Sequence, residues 1–197
     1  MQEMIKMVVV LLVLSLGSGG LLAALESGTK ERIESQELEF VKGPAVRQIL
    51  KGCSNDPISS RFKLKDGDVE RSFFVGVYDG KPKTVVFEVA GKGFADAFGL
   101  MVGVDVPDDK LQGIGVTTHK ETPGLGANAK NDPKFAAQFK GMPLDKPFKV
   151  TPDGGAVNAI SGATITSRGV CAATTEAADI YKRLKPQIET AMKSAVK

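Results

Sequence analysis

FFVGVYDGKPKTVVFEV, from Phe73 to Val89, is the stretch that sets the fold class. Phe73 to Tyr78 and Thr84 to Val89 are rich in aromatic and β-branched residues. Asp79-Gly80 between them is a turn pair, so the segment reads as a β-hairpin. A second hairpin follows, in which Gly99 to Val104 (GLMVGV) and Gln112 to Thr118 (QGIGVTT) flank a turn built on Pro107, Asp108 and Asp109. Glycines inside both of these strands predict bulges or close backbone approach. A mostly antiparallel sheet of at least four strands is the economical reading.

Working outward, Asn131-Asp132-Pro133 predicts an N-cap and a short helix to about Lys140, closed by Gly141, and Phe148 to Thr151 predicts a further strand. From Ser167 onward, Val170, Ala173, Ala177, Ile180, Tyr181 and Leu184 recur at three- and four-residue steps, the stripe of a helix packed on a sheet, which Pro186 is expected to break or bend. Upstream, Ser27 or Thr29 is expected to cap a polar helix from Lys30 to Val41. Gly43-Pro44 is expected to break it before a second short helix, Ala45 to Lys51. The class is α+β: a twisted, mostly antiparallel sheet packed with helices, preceded by one N-terminal transmembrane helix. The expected division is an anchor (1–26), a helical stalk and first layer (27–60) and one globular domain (61–197).

Composition agrees with one core and one membrane piece. Of 197 residues, 42% are hydrophobic and 25% charged, which excludes disorder, collagen and coiled coil. The 26 basic and 23 acidic residues are interleaved without a single-sign stripe, so nucleic acid is a poor partner. One histidine and two cysteines cannot build a four-thiolate iron-sulfur cluster, a Cys/His zinc site or a haem attachment, so redox chemistry would need an organic cofactor. A disulfide between Cys53 and Cys171 is allowed in an oxidising compartment and not implied. Met7 to Leu25 is nineteen residues without a charge. As a helix it spans about 28 Å, near the roughly 30 Å of a bilayer core. Lys6 precedes it, while Glu26, Lys30, Glu31 and Arg32 follow, a flank weakly favouring a cytoplasmic N-terminus. A retained anchor is the preferred reading and a cleavable signal peptide the competing one. Under either, the body is exported.

Two segments carry chemistry. ISGATITSR, Ile160 to Arg168, places Ser161, Thr164, Thr166 and Ser167 around the small Gly162 and Ala163, just before the amphipathic helix. Free N–H groups and the dipole at a helix start favour an anion, so the segment reads as a phosphate seat, with Ser167 able to cap the helix. An ordinary cap is the plainer reading of the same hydroxyls. THKETPGLG, Thr118 to Gly126, follows a strand and holds the single histidine, His119, beside Lys120 and Glu121. Pro123-Gly124 and Gly126 enforce a tight turn there. A lone histidine beside a sheet is more often structural than a ligand.

Taken together, SGATITS (Ser161 to Ser167), HKETPGLG (His119 to Gly126) and GKGFADAFGLMVGVD (Gly91 to Asp105) resemble the FMN-binding domain shared by the G subunit of the Rnf electron-transport complex and the C subunit of the sodium-pumping NADH:quinone reductase. The resemblance covers essentially the whole chain, and its shortness and ETPGLG favour the G-subunit branch. It implies a flavinylation motif whose final threonine, Thr166, carries FMN through a phosphoester bond. It also implies cofactor contacts from Ser161, Gly162, Ala163, Thr164, Ile165 and Ser167, and from His119, Glu121, Thr122, Gly124 and Leu125, with no metal ligand. The sequence departs from the family at Lys92-Gly93-Phe94, where an aromatic-glycine pair is common.

The activity implied is electron relay by an exported, single-pass inner-membrane subunit, with the globular domain on the periplasmic side, in an ion-translocating ferredoxin:NAD oxidoreductase. No independent catalysis is expected. The chain has no dinucleotide-binding glycine fingerprint, so NAD and ferredoxin must meet other subunits. Threonine is a poor nucleophile at neutral pH and no base lies beside Thr166 in sequence. A separate enzyme is therefore the expected agent of attachment, and the resemblance implies a flavin transferase using FAD and Mg²⁺. The alternatives are the C-type quinone-reductase subunit and a non-enzymatic exported binding or scaffold module.

Overall fold

The structure is a computed structural model describing residues 1–194. It divides into two compact units, residues 1–39 and the chain from Phe40 onward.

The first unit is the helix α1, Gln2–Gln36. Its apolar side chains from Met4 to Leu25 are exposed, and the stretch Gln2–Lys30 is long and apolar enough to cross a membrane. The helix passes through Ser27 and Thr29, so neither caps a new one; the Thr29 hydroxyl donates back to the Leu25 carbonyl at 2.7 Å. The expected break at Gly43-Pro44 is also corrected. A π-helical segment, Glu37–Lys42, leads directly into α2, Gly43–Ile49, where Pro44 occupies the first turn. Proline is tolerated there because a first-turn N–H has no intrahelical partner to lose.

The second unit is built on a five-stranded antiparallel sheet in sequential order: β1 Arg61–Asp66, β2 Val69–Tyr78, β3 Lys81–Lys92, β4 Ala97–Asp105 and β5 Lys110–Val116. Both predicted hairpins form, turning at Asp79-Gly80 and around Asp109. The additional strand β1 is an edge strand that alternates exposed and half-buried residues. Because side chains alternate across a sheet, one cross-strand row, Phe73, Phe87, Val102 and Ile114, enters the main core, while the next, Phe74, Val86, Gly103 and Gly113, faces the other way. That second face receives α2: Ile49 sits where a side chain at Gly103 would be, and Ala45 lies against Gly115. The register also shifts at Gly103/Val104, so these glycines serve both predicted purposes, bulge and close approach.

The main core is closed by α5, Thr164–Ser194, through Val170, Ala173, Ala177, Ile180, Tyr181 and Leu184. The helix starts three residues before the predicted Ser167 and continues through Pro186 instead of ending there. Buried Leu184, Ile188 and Met192 carry the packing across the proline, and the lost backbone bond is outweighed by that burial.

Between β5 and α5 lie α3, Asn128–Asn131, and α4, Pro133–Ala137, the latter capped as expected by Asp132, whose side chain accepts the Lys134 N–H at 2.9 Å. The predicted strand at Phe148 to Thr151 is not formed. Val150 makes a single bridge to Val157, and a 3₁₀ turn, Thr151–Asp153, follows. Pro147 and Pro152 remove ladder donors on both sides. Cys53 and Cys171 are both free thiols, and Cys171 is buried in the core.

Candidate functional site

The polypeptide enters α5 through a left-handed turn at Gly162, φ +74°. The first bond of the helical ladder runs from the Ser167 N–H to the Ala163 carbonyl at 3.0 Å. The N–H groups of Thr164, Ile165 and Thr166 therefore lie ahead of the ladder, at the positive end of a 31-residue helix. Ser167 is not the cap. It lies one turn inside, fully buried, where its hydroxyl accepts the Ile160 N–H and donates to the Ala163 carbonyl, both at 3.0 Å. Its task is to fix the entry of the loop into the helix.

Thr166 is 2% exposed, and its hydroxyl donates to Glu121 Oε2 at 2.7 Å. Glu121, itself 7% exposed, uses its other oxygen to accept the Ala95 N–H at 3.0 Å. Its own N–H donates to His119 Nδ1 at 3.3 Å, which is the role the half-buried histidine has here. Desolvation pushes the Glu121 carboxyl up, but hydrogen bonds from Thr166 and from the backbone of Phe94, Ala95 and Asp96 outweigh it and hold the group below the ordinary glutamate range. Three segments distant in sequence thus converge on one carboxylate: the start of α5, the loop after β5, and the turn between β3 and β4.

Glycines make the convergence possible. A Cβ at Gly93 would collide with Glu121 Oε1, one at Gly126 with Glu121 Oε2, and one at Gly169 with the Lys92 carbonyl. A second contact joins the two predicted segments, because Leu125 lies against Gly162, where a Cβ would come within 2.9 Å of it. Thr122, Gly124 and Leu125 are otherwise exposed, as are Ser161 and Ile165, while Thr164 is half-buried. Among the described residues no side-chain hydrogen bond involves Ser161 or Thr164, so the four hydroxyls do not act as one cluster. Gly93, Ala95 and Gly169 are the site-forming positions that sequence reasoning missed, and Gly126 was read only as part of a tight turn. The only signal was glycine, Gly93 in the Lys92-Gly93-Phe94 departure and Gly169 directly after ISGATITSR; Ala95 contributes through its backbone N–H and had none.

A turn further along α5, an open groove of about 590 Å³ runs between the helix and the β3–β4 turn, lined by Gly91, Gly93, Phe94, Gly169, Ala173 and Glu176 among others. This is within the range of about 300–1,000 Å³ usual for small-molecule sites. Phe94 is 71% exposed at its rim. The cradle fits a flavin nucleotide: unladdered amides and a hydroxyl suit its phosphate, and a groove walled by small residues and one aromatic suits a ring system. Among the described residues no cluster of His, Cys, Asp and Glu suits a metal ion.

The FMN-binding domain family matches residues 93–179, the span that holds all three converging segments. The G subunit of an ion-translocating oxidoreductase complex from Pseudomonas aeruginosa is 31% identical over 189 residues, 89% of this chain and 87% of that protein. The corresponding G subunit of Methanosarcina acetivorans is 31% identical over 90% of this chain and 94% of its own length. The G subunit of the proton-translocating ferredoxin:NAD(+) oxidoreductase complex of Clostridium ljungdahlii is 40% identical over 71% of this chain and 78% of that protein. Among solved structures, NqrC of Shewanella oneidensis aligns with a TM-score of 0.54 and 25% identity over 70% of this chain and 72% of that one. With identities of this size along most of its length, the chain belongs to the FMN-binding family formed by the G subunits of ion-translocating oxidoreductase complexes.

Proposed function

We propose that this chain is the flavin-carrying subunit of an ion-translocating ferredoxin:NAD oxidoreductase, with FMN joined through its phosphate to Thr166 and the body held outside the cytoplasm by α1. The single observation that carries the reading is the position of Thr166: a hydroxyl in the unladdered first turn of α5, opposite the glycine-lined loops. The family supplies the class of cofactor, the motif resemblance names Thr166, and its place in the first turn of α5 supports that reading. When bound, a flavin passes one or two electrons, which suits a relay between partners that differ in electron number.

The chain's residues then have separate tasks. The N–H groups of Thr164 to Thr166 accept the charge of the phosphate ester, Gly162 and Gly126 let the backbone approach it, and Ser167 holds the entry loop still. Phe94 and the small residues of α5 in the groove present apolar surface to the ring, while Leu125 lies beside Gly162 at the entry turn. A cofactor secured by an ester is not lost to dilution outside the cytoplasm, so non-covalent affinity can be modest. Ion movement and the contacts with ferredoxin and NAD belong to other subunits of the assembly, and loading belongs to a flavin transferase. Relatives of 30 to 40% identity that bear the G-subunit name favour this reading over the quinone-reductase subunit.

The test is co-production with a flavin transferase. The parent chain is expected to fluoresce as flavin after denaturing electrophoresis and to gain the mass of one FMN less water on the peptide containing Thr166. Thr166→Ala is expected to be dark. An unmodified parent peptide in loaded material overturns the reading, and protease added to intact cells tests the outward orientation.

A further inference from the structure

We propose that Glu121 is the base that receives the hydroxyl proton of Thr166 when the flavin phosphate is joined to it; the inference rests on the reading of Thr166 as the attachment residue. Glu121 Oε2 is already 2.7 Å from the oxygen that must become the nucleophile, and Oε1 is held by the Ala95 N–H at 3.0 Å. The carboxylate is thus fixed in position before any donor arrives.

An ionised carboxylate that is almost wholly buried costs free energy unless hydrogen bonds or a cation offset it. Among the described residues no lysine or arginine forms an ion pair with Glu121. Its neighbours are backbone amides and one hydroxyl: a neutral glutamine could accept the amides with its oxygen and donate its NH₂ to Thr166 Oγ1, but the hydroxyl proton would lose its acceptor. A carboxylate there adds one property that the amide lacks, the capacity to take a proton from the hydroxyl.

The step balances without any change of oxidation state. Thr166 Oγ1 forms a bond to the flavin-side phosphorus of a flavin adenine dinucleotide presented by the transferase. The pyrophosphate P–O bond breaks, adenosine monophosphate leaves, and the hydroxyl proton passes to Glu121 Oε2 and then to water. Phosphoryl transfer through a loose transition state needs the proton removed late, so a carboxylate of ordinary or low basicity suffices, as it does in protein kinases. Thr166 is 2% exposed, so the phosphorus reaches Oγ1 only once covering backbone shifts.

The experiment uses the full chain purified without flavin from a host lacking the transferase, then incubated with purified transferase, FAD and Mg²⁺. Initial rates are followed by intact mass against acceptor concentration. Glu121→Gln is expected to fold and to keep the parental KM as acceptor, with kcat lowered about 100-fold or more, the usual effect of losing a general base. A parental kcat, or a raised KM with kcat unchanged, overturns the assignment. If the glutamine variant melts lower than the parent, Glu121→Ala assayed in formate buffer replaces it: restoration of kcat by formate supports the base, and its absence overturns it. A parent chain that takes up no flavin in the same assay sinks the attachment reading and this inference together, whereas a loaded parent matched by Glu121→Gln sinks this inference alone.

Discussion

Thr166 and Glu121 meet across 45 positions of sequence, and the space between them is shaped by a residue with no side chain. A Cβ at Gly126 would overlap Glu121 Oε2 and come within 2.9 Å of both Glu121 Cβ and Thr166 Oγ1. Gly126→Ala is therefore expected to force the two groups apart. The chain should lose about 1–3 kcal/mol of stability, the usual cost of overpacking a tight site, measured by urea denaturation. The same variant should take up less than the parental amount of flavin per chain on co-production with the transferase. A variant that is fully loaded at parental stability would mean that the loop after β5 adjusts freely and that its close approach is incidental. Gly124, with φ +76° and open space beyond it, is a different case, since there the backbone conformation alone favours glycine.

Among the elements, α5 holds the site because charged groups pin it to the β1–β2 hairpin as well as to the core. Asp66 at the end of β1 accepts from Arg71 Nε at 3.1 Å and from Arg183 on α5, Nε at 2.9 Å and Nη2 at 2.6 Å. The Arg183 guanidinium first, and Arg71 after it, hold the Asp66 carboxyl below the ordinary aspartate range. A group whose pKa is lower folded than unfolded stabilises fully above the unfolded value, about 4 for aspartate, and the contribution fades as pH falls through the folded value. The parent is thus expected to lose stability below about pH 4, as protons bind the unfolded chain first. Asp66→Asn should be less stable than the parent at pH 7 and show a shallower fall on acidification, read from denaturation midpoints across pH 3–7. Equal slopes for the two chains would remove Asp66 from the acid response. Tyr181, deeper in the same helix, is anchored by its hydroxyl to Asp109 Oδ1 at 2.8 Å, where burial pushes the phenol far above its ordinary range.

For the whole molecule, the two units separate an apolar helix from a body with its own core. The body from Phe40 onward has roughly the 150 residues that bury enough surface to fold unaided. A chain beginning at Phe40 is expected to be soluble and to keep the far-UV circular dichroism of the sheet and α5, whereas the full chain should sediment with membranes and resist carbonate extraction. Recovery of the full chain in the soluble fraction, with its N-terminal segment intact by mass, would contradict anchoring by α1. The body is also the part that should accept flavin, since all three converging segments lie within it.

What the sequence determined by itself is what neighbouring residues decide. Asp79-Gly80 between β-branched runs forms β2–β3, the three- and four-residue apolar stripe forms α5, Asp132-Pro133 caps α4, and the uncharged stretch from Met7 to Leu25 forms the helix able to span a bilayer. Each of these signals acts within a few residues, through turn chemistry, periodicity or capping. The tertiary structure alone decided the rest. Local rules end helices at Gly43-Pro44 and at Pro186, yet the backbone stays helical because Ala45 and Ile49 on one side, and Ile188 and Met192 on the other, have surfaces to cover. The motif resemblance points to Thr166 among Ser161, Thr164, Thr166 and Ser167, but its buried carboxylate partner appears only when Glu121, Gly126 and the Gly93–Asp96 turn arrive from other parts of the chain. A contact between distant segments is stabilised by packing whose partners no local window contains.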